Sequence, residues 1–333
     1  MSGQMDLFQD PLPAPDPEQV ALAEAIPPHV RFGTSSWTFE GWRGLVYQKR
    51  YATKQAFVRE SLREYAAHPL FDTVGVDRSY YAPLTSEDWR AQAAQLPPGF
   101  RACSKVWGEL TTRVFPRHER YGERAGQPNP FFLDPPRFLE SVLIPLIEGF
   151  DDHAGPLIVE IPPSPVATEP RAFAASIDRF LRGVPSEVPL AFELREPALL
   201  SDAYLSVLRR HPHASHVINL HTRMPTVREQ MERGAIDAAG AGAPLVCRLM
   251  LPPGRRYAEM KEAYAPFDRI VEPQPEMRAD VAALIEATRG VCELYVLVNN
   301  KVEGSSPLTV RGLVEELSAS LSASTRTPPP STR

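Results

Sequence analysis

The chain has 333 residues, 43% hydrophobic and 23% charged. This is the composition of an ordinary folded protein with room for one large domain or two small ones. It excludes disorder throughout, and no run of about 18 apolar residues offers a membrane span. The net charge of −5 is unevenly placed: Asp6, Asp10, Asp16, Glu18 and Glu24 stand in residues 1–28 without a single Lys or Arg, so the tail carries the acidity.

The opening MSGQMDLFQD lacks the basic and apolar regions of a signal peptide. Residues 1–28 are Pro-rich as well as acidic, and read as a disordered tail with one helical turn at Glu18–Ala25. Residues 322–333 read as a second disordered tail. Between them, residues 29–321 form one domain with no linker and no repeat at fixed period.

Within that domain, β-rich runs and helical patterns alternate. Strands are predicted at His29–Ser36, Phe71–Asp77, Phe100–Val106, Pro156–Ile161, Val188–Leu194, Ser215–Leu220, Pro244–Met250 and Glu293–Val298. Helices are predicted at Thr53–Tyr65, Thr85–Gln95, Pro135–Ile147, Glu169–Leu181, Ala198–Arg210, Thr226–Arg233, Tyr257–Tyr264 with Pro275–Thr288, and Leu308–Leu321. Thr85-Ser-Glu-Asp has the form of a capping box, and Asp134-Pro135 and Glu169-Pro170 mark helix starts. Strand–helix alternation means a parallel sheet covered on its faces. Eight units in about 290 residues fit a (β/α)8 TIM barrel. No GxGxxG or GxxxxGK[ST] follows a strand, which argues against dinucleotide and P-loop sites. Cys103, Cys247 and Cys292 have no CxxC spacing and read as reduced thiols of a cytoplasmic protein.

Several separated motifs then resemble one family. GTSSW (Gly33–Trp37) is followed by Gly41-Trp42-Arg43-Gly44. Val74–Tyr81, LPPGFRACSK (Leu96–Lys105), Ile161-Pro162-Pro163-Ser164, Phe192-Glu193-Leu194-Arg195 and LVNNKVEG (Leu297–Gly304) follow in order. Together they resemble the YecE-like family, over about residues 30–320. The resemblance implies a TIM barrel and a domain of unknown function. The chain departs from the family pattern where a Glu and an Asn of the second strand become Gly75 and Asp77, and where the His of an R-L-H-G segment becomes Met250.

In such a barrel, reactive residues come from the C-terminal strand ends, and residues two apart share a face. Glu193 and Arg195 should therefore point inward while Phe192 and Leu194 meet the helices. Lys105 shares a face with Cys103, and Arg248 with Val246. Lys105 is informative because lysines number only five, at 49, 54, 105, 261 and 301. A Lys inside an apolar run needs a partner or a task; Schiff-base chemistry is one such task. The catalytic candidates are Glu193 as general base and Lys105 as acid or anion clamp. Arg195 and Arg248 would anchor a carboxylate or phosphate. Asn299, Asn300, Asp77, Tyr81 and Trp37 would line the site. The long, basic segment from Trp107 to Leu133 reads as a lid.

The alternatives within this reading are a brace of buried ion pairs or a non-catalytic binding barrel. The carboxylate pair of the large TIM-barrel glycosidase clan is absent, because the seventh strand offers Arg248. No cofactor is expected; a divalent cation would need the mixed set Asp77, Glu160, Glu193 and His221. Gln4-Met5-Asp6-Leu7-Phe8 resembles the peptide by which bacterial replication and repair proteins dock on the sliding clamp. In that reading Gln4, Leu7 and Phe8 bind the partner and the barrel processes nucleic acid. A pI near 6.0 supplies no global basic footprint for it.

Overall fold

The computed structural model describes residues 12–239 and 242–324. Eight parallel strands close into a barrel in chain order: β1 (Val30–Thr34), β2 (Thr73–Val76), β3 (Arg101–Lys105), β4 (Ala154–Ile161), β5 (Leu190–Leu194), β6 (Ala214–Leu220), β7 (Leu245–Leu249) and β8 (Leu294–Val298). The seam is closed by β1 against β8, from Val30 beside Leu294 to Thr34 beside Val298. The fold is thus the expected (β/α)8 TIM barrel.

The helices in chain order are α1 (Pro17–Ala23), α2 (Lys54–Ala66), α3 (Arg78–Tyr81), α4 (Ser86–Ala93), α5 (Gly108–Thr111), α6 (Pro135–Phe138), α7 (Ile144–Phe150), α8 (Pro170–Arg182), α9 (Asp202–Arg210), α10 (Val227–Glu232), α11 (Tyr257–Tyr264), α12 (Pro275–Thr288) and α13 (Ser306–Ser324). Their starts obey local chemistry. Thr85 and Asp88 form a reciprocal capping box at α4. Asp134 and Glu169 cap α6 and α8 ahead of a proline.

Alternation along the strands makes two cores. Leu190, Phe192 and Leu194 join the large core between barrel and helices. Cys103, Ile158, Ala191, Val217, Val246, Tyr295 and Leu297 fill the barrel interior. This inner layer separates Arg31 and Glu293 at the base of the barrel from the charged side chains gathered in its mouth. The glycine at Gly33 is required by close approach: a Cβ there would lie 1.9 Å from the Thr73 carbonyl oxygen. The three cysteines are free, and burial pushes the Cys103 and Cys247 thiols up to about 12.

Within the N-terminal segment, the helical turn expected at Glu18–Ala25 appears as the seven-residue helix α1, capped by Asp16. Leu22, Ala23, Ala25 and Ile26 pack on the main core, and Glu18 lies 3.6 Å from Arg311 of α13. Leu22, Ala25 and Ile26 recur at three- and four-residue spacing, which gives this segment an apolar side despite its acidic composition. The last helix likewise runs to Ser324. Gln4, Leu7 and Phe8 lie outside the described residues. Among the described residues no helix is long and apolar enough to cross a membrane.

Candidate functional site

Parallel pairing sets Glu160 at the end of β4 directly beside Glu193 of β5. Two adjacent carboxylates in a barrel mouth repel unless cations neutralise them. Three cations do so. Lys105 Nζ lies 2.9 Å from Glu160 Oε2 and 3.1 Å from Asp77 Oδ1. Arg195 Nη2 lies 2.8 Å from Glu193 Oε1 and 3.1 Å from Glu160 Oε2. Arg248 Nη1 donates to Glu193 and to Glu160 Oε2 at 3.3 Å, while its Nη2 lies 3.5 Å from Asp77. Three acids and three bases therefore alternate around the inside of the mouth. Period-two alternation brings them there, and the sealed inner layer stops them sinking further.

Burial divides this network into floor and surface. Glu193 is fully buried and Arg248 is 1% exposed, whereas the side chains of Glu160 and Asp77 are 15% and 31% exposed. All three cations reach Glu160 through Oε2; among the described residues none bonds to Oε1. Burial alone would raise the Glu160 carboxyl. The Lys105 ammonium and the Arg195 and Arg248 guanidinia outweigh it and hold the group ionised well below the carboxylate range. Burial opposes the charge on Lys105, but Glu160 and Asp77 prevail and raise its pKa, so it stays an ammonium. His221, at the end of β6, is lowered to about 4 by burial and the Arg195 charge. It faces the network as a neutral imidazole at pH 7.

The expected site residues separate into groups. Lys105, Asp77, Glu193, Arg195 and Arg248 meet in the network. Trp37 and Asp77 line a cavity of about 670 Å3 that runs from the mouth between α2 and α4. Tyr81 is 74% exposed and borders a second cavity of about 180 Å3 with Tyr80, Trp107 and Tyr121. Asn299 Oδ1 accepts from the backbone and Nζ of Lys301. Asn300 uses its side-chain oxygen structurally. Its Oδ1 accepts from Trp42 Nε1 at 3.1 Å and from the backbone N–H and hydroxyl of Ser306, fastening the start of α13.

Arg113 of the long loop donates to Ser164, Val166 and Ala167, and Phe115 and Asn129 are buried, so this loop is anchored to its neighbours rather than free over the mouth. Among the described residues no three His, Cys, Asp or Glu side chains are grouped to hold a metal ion. The carboxylates are taken by Lys105, Arg195 and Arg248 instead. Glu160 itself, the centre of the network, was expected only as a member of the mixed set for a divalent cation and not as a catalytic or substrate-binding residue. The same alternation points to it: Ile158 and Glu160 share the inward face of β4.

The chain matches, over residues 31–333, the model of a family described as "Protein of unknown function DUF72". A solved structure of a DUF72 family protein from Thermotoga maritima is similar with a TM-score of 0.60 at 20% identity, covering 87% of this chain and 99% of that one. A DUF72 family protein from Enterococcus faecalis gives 0.59 at 16% identity, covering 86% and 94%. At these identities the likeness concerns the fold. No curated protein matches the chain.

Proposed function

Because the chain belongs to the DUF72 family of proteins of unknown function, its activity has to be inferred from the mouth chemistry: we propose that the mouth binds a small molecule bearing a carboxylate or phosphate and transfers protons on it. The observation that supports this is the contact of Lys105, Arg195 and Arg248 with one oxygen of the partly exposed Glu160. Glu160 and Lys105 already hold the protonation states of a base and an acid. An anionic group that draws Lys105 or Arg195 onto itself removes cations from Glu160. The pKa of Glu160 then rises, and the carboxylate becomes the stronger base only when substrate is present. In this reading the base is Glu160 rather than the sequestered Glu193, which with Arg248 forms the floor. Lys105 and Arg195 hold the anion, and Asp77 and Trp37 contact the remainder of the substrate in the adjoining cavity.

The test is titration of the protein with inorganic phosphate and with glycolate, read by tryptophan fluorescence and thermal shift. Binding is expected for at least one of them and is lost in Lys105→Met. Glu160→Gln should bind as tightly or tighter, since it loses a competing carboxylate, but should not turn over. No binding by the wild-type protein rejects the reading.

A further inference from the structure

Four Lys or Arg side chains are buried among the described residues: Lys105, Arg195, Arg248 and Lys301. Three of them sit against carboxylates. Lys301 does not. It is 3% exposed, and no Asp or Glu among the described residues lies within ion-pair distance of its Nζ. The amine donates to Asn299 Oδ1 at 3.2 Å and otherwise meets ring faces, with the Tyr257 centroid at 4.1 Å and that of Phe267 at 5.7 Å.

The surroundings come from several elements. Asn299 follows β8, Tyr257 opens α11, and Phe267 belongs to a satellite apolar cluster with Leu251, Met260 and Tyr264. Lys261 adds a like charge from α11, and Asp77 is the acid facing it from the end of β2, beyond contact distance. A buried ammonium normally finds a carboxylate, because desolvation is costly without one. With no carboxylate within ion-pair distance, burial favours the uncharged amine over the attraction that the Tyr257 and Phe267 ring faces and the more distant Asp77 exert on the ammonium. Burial and Lys261 accordingly lower Lys301 to about 8.

We propose that Lys301 is a nucleophilic amine of the barrel mouth that condenses with an aldehyde or ketone. The Nζ lone pair forms a bond to the carbonyl carbon as the C=O π pair moves to oxygen, giving a carbinolamine. Loss of water, which takes the carbonyl oxygen and both amine protons, leaves the imine; no oxidant or reductant takes part. A desolvated Lys next to another cation is a setting known to activate such an amine. Lys105 is unsuited to this role, since two carboxylates hold it protonated. Tyr257, 60% exposed, forms the outer side of the roof, and must turn aside for a carbonyl compound to reach the amine. The proposal is independent of the anion reading, because Lys301 touches neither Glu160 nor Arg195.

The experiment exposes the full chain to glycolaldehyde, and separately to pyruvate, at pH 7 with cyanoborohydride, then maps reduced adducts by peptide mass. The other four lysines are internal controls. At pH 7 a lysine near 8 has about 200-fold more free amine than one near 10.4. Lys301 is expected to react at least ~10-fold faster than the exposed Lys54 with one of the two carbonyls in the wild type or in Tyr257→Ala, which opens the roof. Lys301→Arg should remove that adduct alone. A Lys301 rate below ~10-fold that of Lys54 in both proteins with both carbonyls overturns the proposal. Loss of phosphate or glycolate binding without loss of the adduct would reject the anion reading and leave this one standing.

Discussion

The guanidinium of Arg248, on β7, is bound to the fully buried carboxylate of Glu193, on β5, across the floor of the barrel mouth. Both are sealed from solvent, and they are compensated by each other and by Arg195, Glu160 and Asp77. Removing one member leaves a buried charge with too few partners. Glu193→Gln and Arg248→Met should each cost about 3–5 kcal/mol in urea unfolding. The double variant should lose less than the sum of the two. An additive result would mean that the two side chains are not coupled.

Asn300 and Lys105 should behave oppositely. Asn300 Oδ1 serves three donors at the start of α13, so Asn300→Ala should cost about 2 kcal/mol, as expected for buried donors left unsatisfied. Binding of phosphate or glycolate should be unchanged. Lys105→Met should remove that binding. Equal losses of binding in both variants would place Asn300 back in the ligand site.

Acid should destabilise the protein in two windows. Burial lowers the His216 imidazole to about 4, where it bonds Tyr204 and Gln230 as a neutral ring. The unfolded chain takes up this proton below about 6.5 and the folded one only near 4, so stability falls as pH drops between those values. The Glu160 carboxyl is held well below its ordinary 4.5. Its contribution is complete above pH 4.5 and is lost as pH falls toward the lowered native value. Unfolding free energy across pH 3–8 should show the first slope weakened in His216→Leu and the second in Glu160→Gln.

Gly33 tests the pairing of β1 with β2. An added Cβ would lie 1.9 Å from the Thr73 carbonyl oxygen, a backbone atom that moves only if β1 and β2 separate. Gly33→Ala should cost about 3 kcal/mol or more, at or above the usual range for overpacking. A melting temperature within about 2 °C of wild type, less than 1 kcal/mol for a chain of this size, would show that the strands part without cost.

Sequence alone carried the barrel because its signals are local. Strand alternation sorted Phe192 and Leu194 outward from Glu193 and Arg195, and Thr85, Asp134 and Glu169 announced their helices. The helical turn at Glu18–Ala25 was legible too, but acidic and proline-rich composition masked the short apolar stripe by which that segment docks on the core. Cys103, Lys105 and Arg248 were placed on inward faces by the same period-two rule, and Glu160 lay within its reach.

What sequence could not supply was which charge faces which. That depends on the closing of eight strands and on register, which sets Glu160 beside Glu193 and so draws three cations to one oxygen. It depends equally on turns beyond the strands. Lys301 follows β8 in a turn where alternation no longer fixes direction. Its roof comes from Tyr257 and Phe267, more than thirty residues away in the chain. Periodicity determines the face of a side chain, a property of its own strand. Partnership between charges is a property of distances across the closed barrel, and those the tertiary structure decided.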